Sequence, residues 1–349
     1  MTTRRIVTAL LAGSMLAPCA LIGISDAQAQ EKNLTVDHHL AAAKEAAGFD
    51  YTGTLARICI TPQTAPGGDK APSPAPPRAA WYAEPAKVFD NLYWLGTKIH
   101  SAWALTTSDG IIVLDTLYEY AAEEEIAGGL KKLGLDPANV KYTLISHAHG
   151  DHVAGARMMQ EKYKSRIVMG DKDWKLIEDA KLSFPNGKPT RDITAKDGDK
   201  ITLGDTSVTL VSTPGHTYDT YSFIFQVKDK GKPLTVAYNG GTAFNFINDV
   251  AHFDVYIASQ KKMGKTAADA GASVLITNHS EFDNAATKVK LMAARKDGEP
   301  SPFELGTKAV NRYFIVTREC AEAARLKLIK GEKSTVAVGS PSTTQGINQ

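Results

Sequence analysis

Apolar residues along this chain fall into short runs broken by Gly, Pro, Asn and Asp, alternating with longer stretches of helical period. Residues 92–95 and 102–106 read as strands, and Ser108-Asp109-Gly110 as a tight turn into a third strand at 111–115. A helix is expected over 123–133. A strand at 142–146 then leads into the turn 147–152 and a helix reaching about Tyr163. Residues 166–169 read as a strand, 174–180 as a helix and 182–197 as a loop. The second half repeats the rhythm: one hairpin at 200–203 and 207–212, another at 221–227 and 234–238, a helix at 253–263, and a short buried strand at 273–277. Helices at 284–295 and 308–330 close the pattern. Two halves of hairpins and crossover helices predict an α/β chain in which two mixed sheets pack face to face with helices outside.

The ends of the chain read differently. Arg4 and Arg5 precede a mostly apolar stretch at 6–24, and Ala27-Gln28-Ala29 has the small-x-small form of a cleavage site. Residues 1–29 therefore read as a signal peptide directing the chain to the periplasm or outside the cell. Residues 30–87 read as an N-terminal extension, with a helix near His38-His39 whose two rings are expected to be solvated. A segment at 61–77 with six prolines is expected to set this extension apart from the body. The body is placed at 88–330 and a flexible tail at 331–349. With signal cleavage, no other stretch is apolar enough to span a membrane. A formal net charge of +2 without a basic block gives no support to a nucleic-acid partner.

Cys59 and Cys320 remain in the mature chain. A metal-ligand or nucleophile role is open for either, but neither lies in a ligand-like cluster. In an oxidising compartment the pair is the candidate for a disulfide tying the extension to the last helix.

The chemistry concentrates in His147-Ala148-His149-Gly150-Asp151-His152, which holds three of the nine histidines. Imidazole and carboxylate donors suit zinc, and a strand end presents them from a rigid support. A His-rich surface turn is the plain alternative. Two further histidines begin loops after apolar strands: His216 in Thr213-Pro214-Gly215-His216, and His279 after residues 274–278.

These motifs resemble the metallo-β-lactamase superfamily, with its αββα sandwich, and most of all its third subclass of metallo-β-lactamases, whose sites lack cysteine. The resemblance covers about residues 88–323. It implies two zinc ions per chain: one held by His147, His149 and His216, the other by Asp151, His152 and His279. It further implies a small-molecule substrate, the amide bond of a β-lactam, opened by a metal-bound hydroxide that Asp151 orients. Asp115 would support the ligands from behind without binding metal. One stretch departs from the pattern. Asn239-Gly240-Gly241-Thr242 offers no carboxylate to bridge the metals, and no serine where that subclass often has an Asp-Ser pair. Thr242 or Ser280 is the candidate replacement for holding the substrate carboxylate, and Trp81, Tyr82 and Phe184 are candidate walls of the cleft. The fold hosts many chemistries. A lactone, thioester or phosphoester is therefore the alternative substrate, and a non-catalytic zinc-binding secreted protein the third reading.

Overall fold

Residues 34–60, 74–179, 184, 187–244, 246 and 248–331 are described by a computed structural model. The expected signal peptide, most of the proline-rich segment, much of the 182–190 loop and the expected tail beyond Gly331 lie outside the described residues.

Among the described residues, twelve strands form two sheets. The first runs in chain order through β1 (Ala86–Phe89), β2 (Leu92–Trp94), β3 (Trp103–Thr107), β4 (Gly110–Leu114), β5 (Val140–Leu144), β6 (Arg166–Met169) and β7 (Ile193–Thr194). Its pairs are antiparallel as far as β4 and parallel from there on. The second contains β8 (Lys200–Leu203), β9 (Thr206–Ser212), β10 (Tyr221–Asp229), β11 (Lys232–Asn239) and β12 (Val274–Thr277), in the order β12-β11-β10-β9-β8. Only the β11–β12 pair in this sheet is parallel.

Alternation along the strands explains the layers. In β4, Ile112 and Leu114 enter the core between the sheets, whereas Ile111 and Val113 face the outer helices. Both faces are covered, so the sequence there is an unbroken apolar run. In β10, Phe223, Phe225 and Val227 meet the same central core. Ile126, Leu130, Met159 and Trp174 carry the helices that cover the first sheet. Helices Val36–Ala47, Val250–Asp269 and Thr307–Ile329 cover the second with Ala43, Tyr256, Met263, Tyr313 and Phe314. The result is the expected sandwich of two mixed sheets between helical layers.

The N-terminal extension is not set apart. Helix Val36–Ala47 packs along helix Thr307–Ile329, and Cys59 and Cys320 form a disulfide with Cα atoms 4.9 Å apart. His39, expected to be solvated, is buried there, with Nδ1 2.6 Å from Glu319 Oε2. Ala43, Ala46 and Ala47 are buried in that contact, and their small side chains let the two helices approach. Two short strands were missed: β1, just inside the extension, and β7, a two-residue strand within the expected loop.

Candidate metal centre

The C-terminal ends of β4, β5, β9, β11 and β12 open on one edge of the sandwich, and the site is built there. Asp115 follows β4 with φ +60°, and Leu117 follows with φ +61°, a left-handed backbone uncommon for side chains of their size. This turn tucks the Asp115 carboxylate beneath the histidines, where it is fully buried. Oδ1 accepts from Ser146 N (2.7 Å), and Oδ2 accepts from Ser146 Oγ (2.8 Å) and Tyr238 OH (2.6 Å). Asp115 Oδ2 also lies 3.2 Å from His152 Nδ1. Asn278 Nδ2 donates to Gly240 O (2.8 Å) and Ser146 Oγ (3.2 Å), stitching the two sheets together under the site.

Three nitrogens face one another above this base. His147 Nε2 is 3.0 Å from His149 Nδ1, and His216 Nε2 is 3.1 Å from each of them. A closed triangle of nitrogens cannot be satisfied by hydrogen bonds among its members, because each link needs one donor and one acceptor. His216 Nδ1 donates to Ala243 O at 2.7 Å, which leaves Nε2 as a lone pair aimed at the triangle. Donors about 2.0–2.1 Å from a tetrahedral zinc stand roughly 3.3 Å apart, so the triangle has the size and polarity for such an ion. Burial pushes His147 and His216 well below the usual imidazole range, which keeps both rings neutral and ready to donate their lone pairs.

A second group adjoins it. Asp151 Oδ2 is 3.2 Å from His152 Nε2 and 3.1 Å from His279 Nε2, and those two nitrogens are 3.1 Å apart. Burial opposes a charge on His152, but the Asp151 and Asp115 carboxylates outweigh it and hold the ring up to about 10. Burial also opposes ionisation of Asp151. The neighbouring His152 and His279 hold its carboxyl well below the usual range nonetheless.

The structure thus brings all six sequence candidates together, three and three, with Asp115 behind them. It also adds a residue the sequence reading passed over. His100, in the turn between β2 and β3, has Nε2 3.5 Å from Asp151 Oδ2 and forms a second metal-sized set with Asp151 and His279. Its signal was available, since it stands in a short loop between two apolar strands as His279 does. Asp173 was also passed over. It is buried and accepts from Ala148 N (2.8 Å), fixing the peptide between two candidate ligands.

The candidate substrate contacts fare differently. Thr242 is buried, with its hydroxyl within 2.6 Å of Tyr313 OH and 3.1 Å of Asn239 Nδ2, so it faces the protein interior and not a ligand. Ser280 is buried too, and its Oγ pairs with Ser101 Oγ at 3.3 Å. Both are held by the fold. Tyr82 lies under the Arg78 guanidinium, 3.4 Å from its ring centre, and against Lys132. Phe184 packs with the core of the first sheet's helical side. Trp81 does connect to the centre, through a ladder of rings. It touches Tyr120 (5.6 Å), which stacks on Tyr118 (5.6 Å), which meets His100 edge-on (5.1 Å).

The 239–242 strand end explains the missing carboxylate. A Cβ on Gly240 would lie 1.9 Å from Tyr221 O, and one on Gly241 would lie 2.4 Å from His216 Cβ. Asn239 is turned away and donates to Thr242 Oγ1 and Tyr313 OH. No side chain from this strand end reaches between the two donor groups.

Comparison with known proteins agrees with this architecture. Residues 95–229 match the sequence profile of the Metallo-beta-lactamase superfamily. A hydroxyacylglutathione hydrolase of Rhodopseudomonas palustris is 33% identical over 93 residues, covering 26% of this chain and 32% of that protein. The chain therefore spans about a third of that curated relative's length. Among solved structures, BJP-1, a subclass B3 metallo-β-lactamase of Bradyrhizobium japonicum, is similar with a TM-score of 0.55 and 27% identity, covering 71% of this chain and 92% of that one. The FEZ-1 metallo-β-lactamase of Legionella gormanii shares the fold with a TM-score of 0.60 and 24% identity, covering 72% and 97%.

Proposed function

We propose that this chain, which carries a metallo-β-lactamase superfamily domain, is a zinc-dependent hydrolase that opens the amide bond of β-lactams. The observation that carries the reading is the pairing of two adjacent donor groups with a strand end that cannot supply a carboxylate between them. Similarity to a subclass B3 enzyme over 92% of that enzyme's length supports the same choice.

His147, His149 and His216 would hold one zinc, and Asp151, His152 and His279 a second. Bound there, zinc supplies Lewis acidity for the carbonyl and makes water a nucleophile at neutral pH. The chain's own work is positional. Ala243 O and Asp115 fix which nitrogen of His216 and His152 carries the proton. Asp151 would accept a hydrogen bond from the attacking water and orient it. Ser146 is committed to Asp115 and Ser280 to Ser101, so neither stands as an activated nucleophile. We further propose export to the periplasm or beyond, which the Cys59–Cys320 disulfide favours. No described helix is long and apolar enough to cross a membrane.

Thioester hydrolysis is the second reading, favoured by the curated relative named a hydroxyacylglutathione hydrolase. A hydrolysis panel on zinc-loaded protein separates the two: penicillins, cephalosporins and carbapenems beside a glutathione thioester and simple lactones. Chelator-sensitive β-lactam turnover that is unaffected by serine-acylating inhibitors is expected. Cleavage of the thioester alone would move the assignment.

A further inference from the structure

We propose that His100 is a fourth protein donor to the second metal, so that Asp151, His152, His279 and His100 together form a site richer than the tri-histidine site beside it. This rests on the metal-dependent reading above and goes beyond it, because no motif places a ligand in the β2–β3 turn.

Backbone geometry comes first. His100 and His279 form an antiparallel bridge between two loops. The flanking bonds are Ser101 N to Asn278 O (2.8 Å) and Ser280 N to Ile99 O (2.7 Å). Bonds in that arrangement enclose a non-hydrogen-bonded pair, whose Cα atoms stand about 4.5 Å apart with side chains on one face. The two Cβ atoms therefore leave the backbone on the same face, and the ring centroids are 4.9 Å apart. The turn itself is locked, since Thr97 N donates to His100 O (2.7 Å) and His100 N to Thr97 Oγ1 (2.9 Å).

Side-chain geometry agrees. Tyr118 packs edge-on against the His100 ring from another direction. The donor atoms of His100, Asp151 and His279 all lie within 4.8 Å of one another. Around Asp151 Oδ2 the three Nε2 distances are 3.1 Å to His279, 3.2 Å to His152 and 3.5 Å to His100. Donors about 2.1 Å from one ion stand roughly 3.0 Å apart at a right angle and about 3.6 Å apart at 120°, so each of the three distances to Asp151 Oδ2 is one that two donors on a single ion can have. A hydrogen bond to Asp151 alone would explain the 3.5 Å contact but not the convergence of His100 and His279 on one set.

Four protein donors make the second site the more saturated of the two. It takes a borderline divalent cation and leaves the tri-histidine site with the greater share of open positions. His100→Ala and His100→Gln test this in the full chain. Glutamine keeps a donor for Asp151, so it rescues a hydrogen-bonding role and not a ligand. Zinc affinity is read by chelator competition, cobalt(II) by its visible spectrum, and the ring nitrogens by 15N NMR of histidine-labelled protein, with melting of each metal-free variant as the folding control. We expect both variants to lose about tenfold or more in affinity for the second equivalent only. We also expect a stronger cobalt spectrum, as coordination number falls, and a His100 Nε2 signal that shifts in wild type as the second zinc binds. Second-equivalent affinity within twofold of wild type, rescue by glutamine, or an unmoved His100 Nε2 signal would overturn the proposal while leaving the hydrolase reading to the substrate panel. A wild-type chain that takes no second metal would overturn it as well.

Discussion

Asp115→Asn is the sharpest test of how this centre is held. The buried carboxylate serves four atoms: Ser146 N on Oδ1, and Ser146 Oγ, Tyr238 OH and His152 Nδ1 on Oδ2. A backbone N–H can only donate, so the asparagine must keep its oxygen toward Ser146 N and place its NH2 where Oδ2 stood. Both hydroxyls can rotate to accept from that group. His152 Nδ1 cannot remain protonated against it. In the metal-holding form of the ring, which carries a single proton, that proton would move to Nε2, which faces Asp151 Oδ2 at 3.2 Å and His279 Nε2 at 3.1 Å, and the lone pair needed by a metal would be lost. Restoring the original tautomer sacrifices a charge-assisted bond, about 1.5–3 kcal/mol. At about 1.4 kcal/mol per decade that is roughly 10–100-fold in affinity, the range typical of groups that orient metal ligands. Competition with a chromophoric chelator should show the second equivalent weakened by about that factor and the first almost unchanged. Tyr238→Phe, which removes a donor to the same oxygen but leaves the tautomer alone, should not reproduce the effect. Two equivalents bound as tightly as in wild type by a folded Asp115→Asn protein would refute the tautomer argument.

Three further outcomes follow from other parts of the structure. Gly241→Ala brings a methyl to 2.4 Å from His216 Cβ; it should weaken the tri-histidine site selectively, and an unchanged first equivalent would show that the strand end yields. Breaking the Cys59–Cys320 link, which closes a separation of 261 residues, with a Cys59→Ala/Cys320→Ala double variant should cost about 2–4 kcal/mol in urea unfolding; equal midpoints would refute it. Glu125 is buried with one oxygen unpartnered among the described residues, and burial pushes its carboxyl up to about 8. From about pH 4.5 to 8 the folded chain keeps a proton that the unfolded chain has lost, so wild-type stability should fall as pH rises, by at most about 1.4 kcal/mol per unit. Glu125→Gln should flatten that slope, and parallel stability curves for the two proteins would count against the buried acid.

Legibility in the sequence followed the range of the forces involved. Strands whose two faces are both buried, such as 111–114, announce themselves as apolar runs because every position needs an apolar residue. The two-residue β7 has no period to detect. It exists because Ala195 N bonds Met169 O beyond the edge of β6. Helix Val250–Asp269 runs well past the expected 253–263, and its true start is marked by Asp249, whose side chain accepts from His252 N. That capping signal is local, whereas the apolar period of the helix becomes regular only from Phe253. The docking of helix Val36–Ala47 was hidden for a different reason. An alanine-rich face looks polar-neutral in isolation, and only the opposing Thr307–Ile329 helix turns its smallness into close packing.

The site shows the same division. His147, His149, Asp151 and His152 share one turn, so their cooperation is written in local spacing. His216 and His279 became legible only as partners of that turn, each marked by a loop start after an apolar strand. Thr242 stands at the strand end where a substrate-holding serine is expected and Ser280 follows His279 in sequence, yet position along the chain does not fix side-chain direction, and both turn into the interior. His100 lies 51 positions before Asp151 in an unremarkable turn, and what brings it to the centre is its backbone pairing with His279. The contacts that place it, Ser101 N to Asn278 O and Ser280 N to Ile99 O, involve main-chain atoms that every residue carries. Side-chain chemistry identifies the candidate donors nearest in sequence, and strand pairing decides which distant candidates join them, so the composition of the proposed second metal's shell follows from the register between the β2–β3 turn and the loop after β12.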